Sequence, residues 1–80
     1  MAFVYILHST DYNRYYIGST REIVNRLKAH NSGKVRSTKA YRPWELIYTE
    51  KFDIYSDARK REIFLKSGAG RKWLKDNIYI

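Results

Sequence analysis

Ala2-Phe-Val-Tyr-Ile-Leu-His8, the turn formers Ser9-Thr-Asp-Tyr-Asn13, and Arg14-Tyr-Tyr-Ile-Gly-Ser19 together read as a β-hairpin, and the rest of the chain is organised around it. The first run is apolar and β-favouring without alternation, as suits a strand covered on both faces, so it is placed at the sheet centre. The second is rich in Tyr and Ile. A loop centred between Thr10 and Asp11 would set Tyr5 directly opposite Tyr16 on one face, with Cβ atoms ~5 Å apart. A one-residue bulge would undo that pairing.

Ser19 followed three residues later by Glu22 has the pattern of a capping box, and Asn31-Ser32-Gly33 is a stop signal, so a helix is expected over roughly 20 to 31. Ile23, Val24 and Leu27 form its apolar stripe. Arg26 and His30, four residues apart, stack on a neighbouring face and can reach the same ligand. A basic connection over 33 to 42, with room for one helical turn, leads to Pro43 and a third strand over Trp44 to Phe52. Ser56 and Asp57 offer an N-cap for a helix reaching about Ser67. Gly68 and Gly70 interrupt the pattern. Arg71 to Asn77 resumes as an amphipathic helix with Trp73 and Leu74 inward, giving the order β-β-α-β-α-α.

Eighty residues make a single domain, 1–80, because a chain this short buries only ~60% of the surface its unfolded form exposes. No apolar run approaches the ~18 residues of a membrane span, and the N-terminus lacks a signal-peptide pattern, so the expectation is a cytoplasmic protein. With no cysteine there is no disulfide, thiolate nucleophile or Cys-based zinc site. The charge is the strongest compositional signal. Sixteen Lys and Arg against eight Asp and Glu leave +8, which points to a polyanionic partner. From Ile23 through Trp44 there is no carboxylate, yet Arg26, Lys28, Lys34, Arg36, Lys39 and Arg42 are present. A second cluster, Arg59 to Lys75, encloses only Glu62 and includes Lys66, Arg71 and Lys72. Either run alone would be a solvated helix face; both on one small domain favour phosphate binding.

The ordered set Val4-Tyr5-Ile6, Tyr16-Ile17-Gly18 and Arg26-Leu27-Lys28-Ala29-His30 resembles the GIY-YIG nucleases, the fold shared by homing endonucleases, restriction enzymes and the N-terminal domain of excinuclease C. Asn31-Ser32-Gly33-Lys34, Arg42-Pro43-Trp44, Leu46-Ile47-Tyr48 and Lys60-Arg61-Glu62 look like the small stand-alone bacterial members, so the resemblance covers nearly the whole chain. One departure is plain: the first motif reads Phe3-Val4-Tyr5, which keeps the tyrosine and replaces the glycine and isoleucine. The resemblance implies an α+β fold, a small three-stranded antiparallel sheet flanked by helices. It also implies a metal-dependent endonuclease acting on nucleic acid, most simply DNA.

Hydrolysing a phosphodiester needs an activated water, charge stabilisation on the phosphorane and help for the leaving oxyanion. By resemblance, Tyr5 is the general base, with nearby cations favouring its phenolate. Tyr16 holds the base or binds water and phosphate. Gly18 leaves room where strand meets helix. Arg26 stabilises the transition state with a planar fork of donors, and His30 orients phosphate or water. Glu62 holds one Mg²⁺ or Mn²⁺ ion, since no second acid is available; Asp57 serves the cap. Asn77 is a weaker candidate for an outer-shell contact. Lys34, Arg36, Lys39, Arg42, Lys66, Arg71 and Lys72 are the expected phosphate contacts.

Each residue also has an ordinary reading. Tyr5 and Tyr16 could be strand tyrosines, Arg26 a solvated helix residue, His30 a partner of the helix dipole, and Glu62 an ion pair with Lys66. Two other functions stay open: a non-catalytic basic module binding DNA or RNA on the same fold, and a docking domain for an acidic protein. The relatives usually attach a separate recognition domain. Without one, the chain would read nucleic-acid shape, act as a homo-oligomer or be delivered by a partner protein.

Overall fold

The unalternating run becomes β1 (Ala2–Ser9), the middle strand of a sheet ordered β2-β1-β3 and antiparallel to both neighbours, β2 (Arg14–Thr20) and β3 (Trp44–Phe52). The computed structural model describes residues 1–80, and completes them with α1 (Ile23–Asn31), a short 3₁₀ turn at Lys39–Tyr41, α2 (Tyr55–Lys66) and α3 (Gly68–Asn77). The order is the expected β-β-α-β-α-α.

Both faces of β1 are buried because each has its own cover. Ala2, Val4 and Ile6 pack with Ala58, Leu65 and Leu74 of α2 and α3. Tyr5 and Leu7 pack on the other face with Trp44 and the α1 residues Ile23 and Leu27. Val4, Ile6 and Leu7 are fully buried, a contribution of about 1.5–3 kcal/mol each relative to exposure. On β3 every second residue is the less exposed one, yet Trp44 and Leu46 join one core while Tyr48 and Phe52 join the other. The reason is a bulge opposite Ile6 and Leu7, which pair with Tyr48 and Leu46 and leave Ile47 as the extra residue. One inserted residue moves the alternating row to the opposite face.

The hairpin register differs from the expectation. Tyr5 lies opposite Gly18 and Tyr16 opposite Leu7. The loop closes later than supposed because Asn13, in the left-handed region at φ 49°, donates its N–H to the Ser9 carbonyl at 2.9 Å. The offset is two residues, and an even offset preserves the face, so Tyr5 and Tyr16 remain neighbours with ring centroids 6.2 Å apart.

The helix starts also need correction. Ser19 belongs to β2, α1 begins at Ile23, and no side chain caps it; the Thr20 hydroxyl instead accepts the Glu22 N–H at 3.0 Å. Val24 is exposed, so Ile23 and Leu27 carry the packing stripe. In α2 the N-cap position is Ile54, and Ser56 and Asp57 lie within the first turn, where Asp57 complements the helix dipole without capping. Gly68 and Gly70 sit inside α3, whose N-cap is Ser67, accepting from the Gly70 N–H at 3.1 Å. Gly70 is required there, because a side chain would collide with the Phe64 carbonyl and the Leu65 backbone.

Candidate active site

Tyr5 is positioned by a missing side chain on the neighbouring strand. A Cβ on Gly18 would stand 2.5 Å from the Tyr5 hydroxyl oxygen and 2.6 Å from its Cζ. The Tyr5 ring therefore crosses the gap at Gly18 and carries its hydroxyl toward the edge strand β2. The room that Gly18 leaves is filled by the tyrosine itself.

At that edge two α1 side chains meet the hydroxyl. His30 Nε2 is 2.9 Å from the Tyr5 oxygen, and Arg26 Nε donates to the same oxygen at 3.3 Å. The ligand shared by this i,i+4 pair is thus Tyr5. His30 Nδ1 lies 2.8 Å from the Thr38 hydroxyl, whose own proton goes to the Val35 carbonyl. This network assigns the tautomer: Nδ1–H donates to Thr38, so Nε2 accepts the Tyr5 proton while the Tyr5 oxygen accepts from Arg26. Thr38 is held in turn, its carbonyl accepting the Trp44 indole N–H at 2.9 Å. Asn31 brackets the Trp44 backbone through both amide atoms, fixing the end of α1 to the start of β3.

The electrostatics follow from burial. Desolvation pushes the Tyr5 phenol up to about 12, with the Arg26 bond opposing it only in part. The cations expected to favour phenolate therefore do not prevail, and the hydroxyl keeps its proton. Desolvation also brings His30 down to about 4, helped by the Arg26 charge, so its imidazole is neutral near pH 7 and free to accept. The bond to Tyr5 raises Arg26 further above its ordinary value.

The low His30 value has a consequence for stability. The unfolded chain binds this proton below about 6.5 and the folded chain only below about 4. Between those limits the unfolded state holds more protons, so stability rises with pH across the window and is lost as pH falls through it. The full difference is on the order of 3 kcal/mol. Urea unfolding of wild type and His30→Gln at pH 4 and pH 6.5 should show the wild type gaining more with pH; parallel gains would contradict the assignment.

Glu62 approaches the same strand edge from the opposite side, on α2. Its side chain is almost fully buried, and Oε1 accepts from the Ser19 hydroxyl at 2.5 Å. Oε2 accepts from Lys66 at 2.7 Å and Arg59 at 2.9 Å. Burial works to raise its titration, but the bonds from Lys66, Ser19 and Arg59 outweigh it and hold the carboxyl below the usual range. The ordinary reading of Glu62 as a Lys66 partner is present, with two further partners. The phenol and carboxylate sides are joined by Lys66, whose ammonium lies 5.9 Å from the Tyr16 ring centroid, and by a cleft of about 340 Å³ lined by Ser19, Thr20, Arg21, Glu22, Arg26 and Tyr55. Tyr16 completes the phenol side, its ring 4.8 Å from that of His30.

No group of three or more His, Asp or Glu side chains is gathered anywhere in the molecule. The donor chemistry at Glu62 is that of one ionised carboxylate with the Ser19 and Tyr55 hydroxyls beside it. That set fits a hard divalent ion which keeps most of its water and takes substrate oxygen, provided Lys66 and Arg59, both about half exposed, swing aside.

The sequence reading missed Ser19, taken for a cap, as well as Arg21 and Tyr55, because each acts through a partner distant in sequence, and Thr38, which meets His30 across the turn that follows α1. Arg21 lies over the Tyr55 ring at 4.6 Å in the cleft. Of the expected phosphate contacts, Lys34, Arg36, Lys39, Arg42, Lys66, Arg71 and Lys72 are all exposed. Lys66 bonds Glu62, Lys72 bonds Asp76 and Arg42 donates to the Lys39 carbonyl. The Asn77 amide turns back onto the Trp73 carbonyl of its own helix, which removes the reason for proposing it as an outer-shell group.

The sequence model described as the GIY-YIG catalytic domain matches residues 1–75. The chain belongs to the GIY-YIG family. Relatives include a UPF0213 protein of Staphylococcus saprophyticus, 38% identical over 91% of this chain and 89% of its own length. The UPF0213 protein YazA of Bacillus subtilis is 37% identical over 88% and 71% respectively. Among solved structures, the solution NMR structure of a UPF0213 protein from Bacillus halodurans superimposes with a TM-score of 0.54 at 31% identity, covering 95% of this chain and 84% of that one. The match extends over the three-stranded antiparallel sheet and its helices, so the chain has the α+β fold of that structure. No helix is long and apolar enough to cross a membrane.

Proposed function

We propose that the chain is a metal-dependent endonuclease that hydrolyses phosphodiester bonds of nucleic acid, with Tyr5, Tyr16, Arg26, His30 and Glu62 as its working residues. The observation that carries the reading is the buried Tyr5 hydroxyl held between the His30 acceptor and the Arg26 donor, with Arg26 also lining the neighbouring cleft. A phenol kept at about 12 does not serve as base by ionising in advance. Instead its oxygen takes a proton from the attacking water while its own proton passes to His30 Nε2. Thr38 keeps His30 in the tautomer that can receive it. Arg26, already engaged through Nε, offers the rest of its guanidinium to phosphate oxygens as charge grows on them. Tyr16 supports the Tyr5 ring and can donate to phosphate or water.

Glu62, with Ser19 and Tyr55 beside it, would hold the divalent ion, Mg²⁺ or Mn²⁺. Bound there, such an ion supplies Lewis-acid stabilisation of the phosphate and leaving oxygens. Lys34, Arg36 and Lys39, which have no side-chain partner within the protein, and Arg42 and Arg71 are proposed to hold flanking phosphates.

The engagement of Glu62 by Lys66 and Arg59 favours a second reading, a binding module without turnover. Incubating the protein with single-stranded, flapped and duplex DNA, and with RNA, in Mg²⁺, in Mn²⁺ and in chelator separates them. Cleavage that needs the metal supports the nuclease; salt-sensitive binding with no cleavage in any condition supports the module.

A further inference from the structure

The largest cavity in the molecule, about 580 Å³, lies outside the Arg26 cleft, beside the edge strand β2 where α2 and α3 cover the sheet. Its floor is apolar, built from Ile17, Leu65 and Leu74, and the half-exposed Tyr15 ring stands at one side. Its rim carries Arg71 and Lys75, four residues apart on α3. Like charges at that spacing repel along a helix. Neither has a carboxylate partner, although Lys72 on the same helix is paired with Asp76. The cavity borders the candidate active site, because Tyr16 and Lys66 line it as well.

The volume falls in the range of small-molecule sites, ~300–1,000 Å³. An apolar floor, an aromatic wall and an unpaired cationic rim together suit a flat, aromatic group that carries negative charge close by. In a nucleic-acid strand that description belongs to a nucleobase with its flanking phosphates. We propose that this cavity receives a base turned out of the helical stack, its ring against Tyr15 and the floor, its phosphates on Arg71 and Lys75. A base inside a duplex is stacked on both faces and cannot enter. The substrate class is therefore nucleic acid with an unpaired nucleotide beside the scissile phosphate: a single strand, a flap or a mismatch. This deepens the nuclease reading and rests on it for the identity of the polymer.

The test is binding by fluorescence anisotropy in chelator, so that turnover plays no part. The probes are a short oligothymidylate, the same phosphodiester backbone built from abasic spacers, and a blunt duplex with equal phosphate number. Wild type should bind the base-bearing strand roughly tenfold tighter than the abasic one, and tighter than the duplex. Tyr15→Ala, at an exposed position and checked by circular dichroism, should remove most of that ratio and leave the abasic affinity unchanged. Arg71→Ala with Lys75→Ala should weaken both strands equally and preserve the ratio. Equal wild-type affinities for the two strands, or a ratio that survives Tyr15→Ala, would overturn the assignment, as would failure to bind any probe. Cleavage is scored separately. A preserved ratio without metal-dependent cleavage supports the cavity and removes the enzyme, whereas cleavage with equal affinities removes the cavity alone.

Discussion

Tyr5→Phe should lower the rate constant of metal-dependent cleavage by about 10²- to 10⁴-fold, the usual range for loss of a general base, while nucleic-acid affinity stays close to that of the wild type. Phenylalanine keeps the ring across Gly18 and the packing with Leu7 and Trp44. It removes only the atom between Arg26 and His30. The buried imidazole nitrogen then lacks a partner, so about 1–3 kcal/mol of stability should be lost as well. Single-turnover cleavage rates, anisotropy and urea unfolding measure the three effects. A variant that cleaves at the wild-type rate would remove the hydroxyl from the mechanism.

Arg26→Ala should cost about 10²- to 10³-fold in the cleavage rate constant, as for removal of one donor aimed at developing oxyanion charge. Arg26→Lys distinguishes charge from geometry. Lysine keeps the positive charge but loses the planar fork that binds Tyr5 and phosphate together. It should retain affinity and recover little of the rate. Near-full recovery of the rate would mean that Arg26 acts only as a charge. Since Arg26 also depresses His30, its removal should raise the His30 value above about 4, visible as a shift in the imidazole titration by NMR.

The elements were legible in the sequence because their causes are local. Pro43 before an alternating run gives β3 its limits, and an apolar run without alternation announces the central strand β1. The pairing of Arg26 with His30 follows from helical spacing alone. What stayed hidden depends on partners far apart in the chain. Ser19 and Glu22 carry the local signature of a helix cap, but Ser19 bonds Glu62, forty-three residues away. The hairpin register turned on Asn13 taking a left-handed conformation, which a count of turn formers does not reveal. The side of the sheet from which Glu62 arrives was likewise invisible, because it depends on α2 packing against the face opposite α1. The Tyr5 phenol titrates upward where cations were expected to lower it, since burial outweighs the single Arg26 contact.

Glu62→Gln gives the most direct test, because glutamine keeps the shape and the Ser19 bond while removing the charge that a divalent ion requires. Cleavage and binding should be measured on the same labelled strand, in Mg²⁺ and in chelator, for wild type and variant. The account predicts binding by both proteins, with strand scission confined to the wild type in Mg²⁺. Scission by Glu62→Gln at the wild-type rate, or wild-type scission undiminished in chelator, would contradict it.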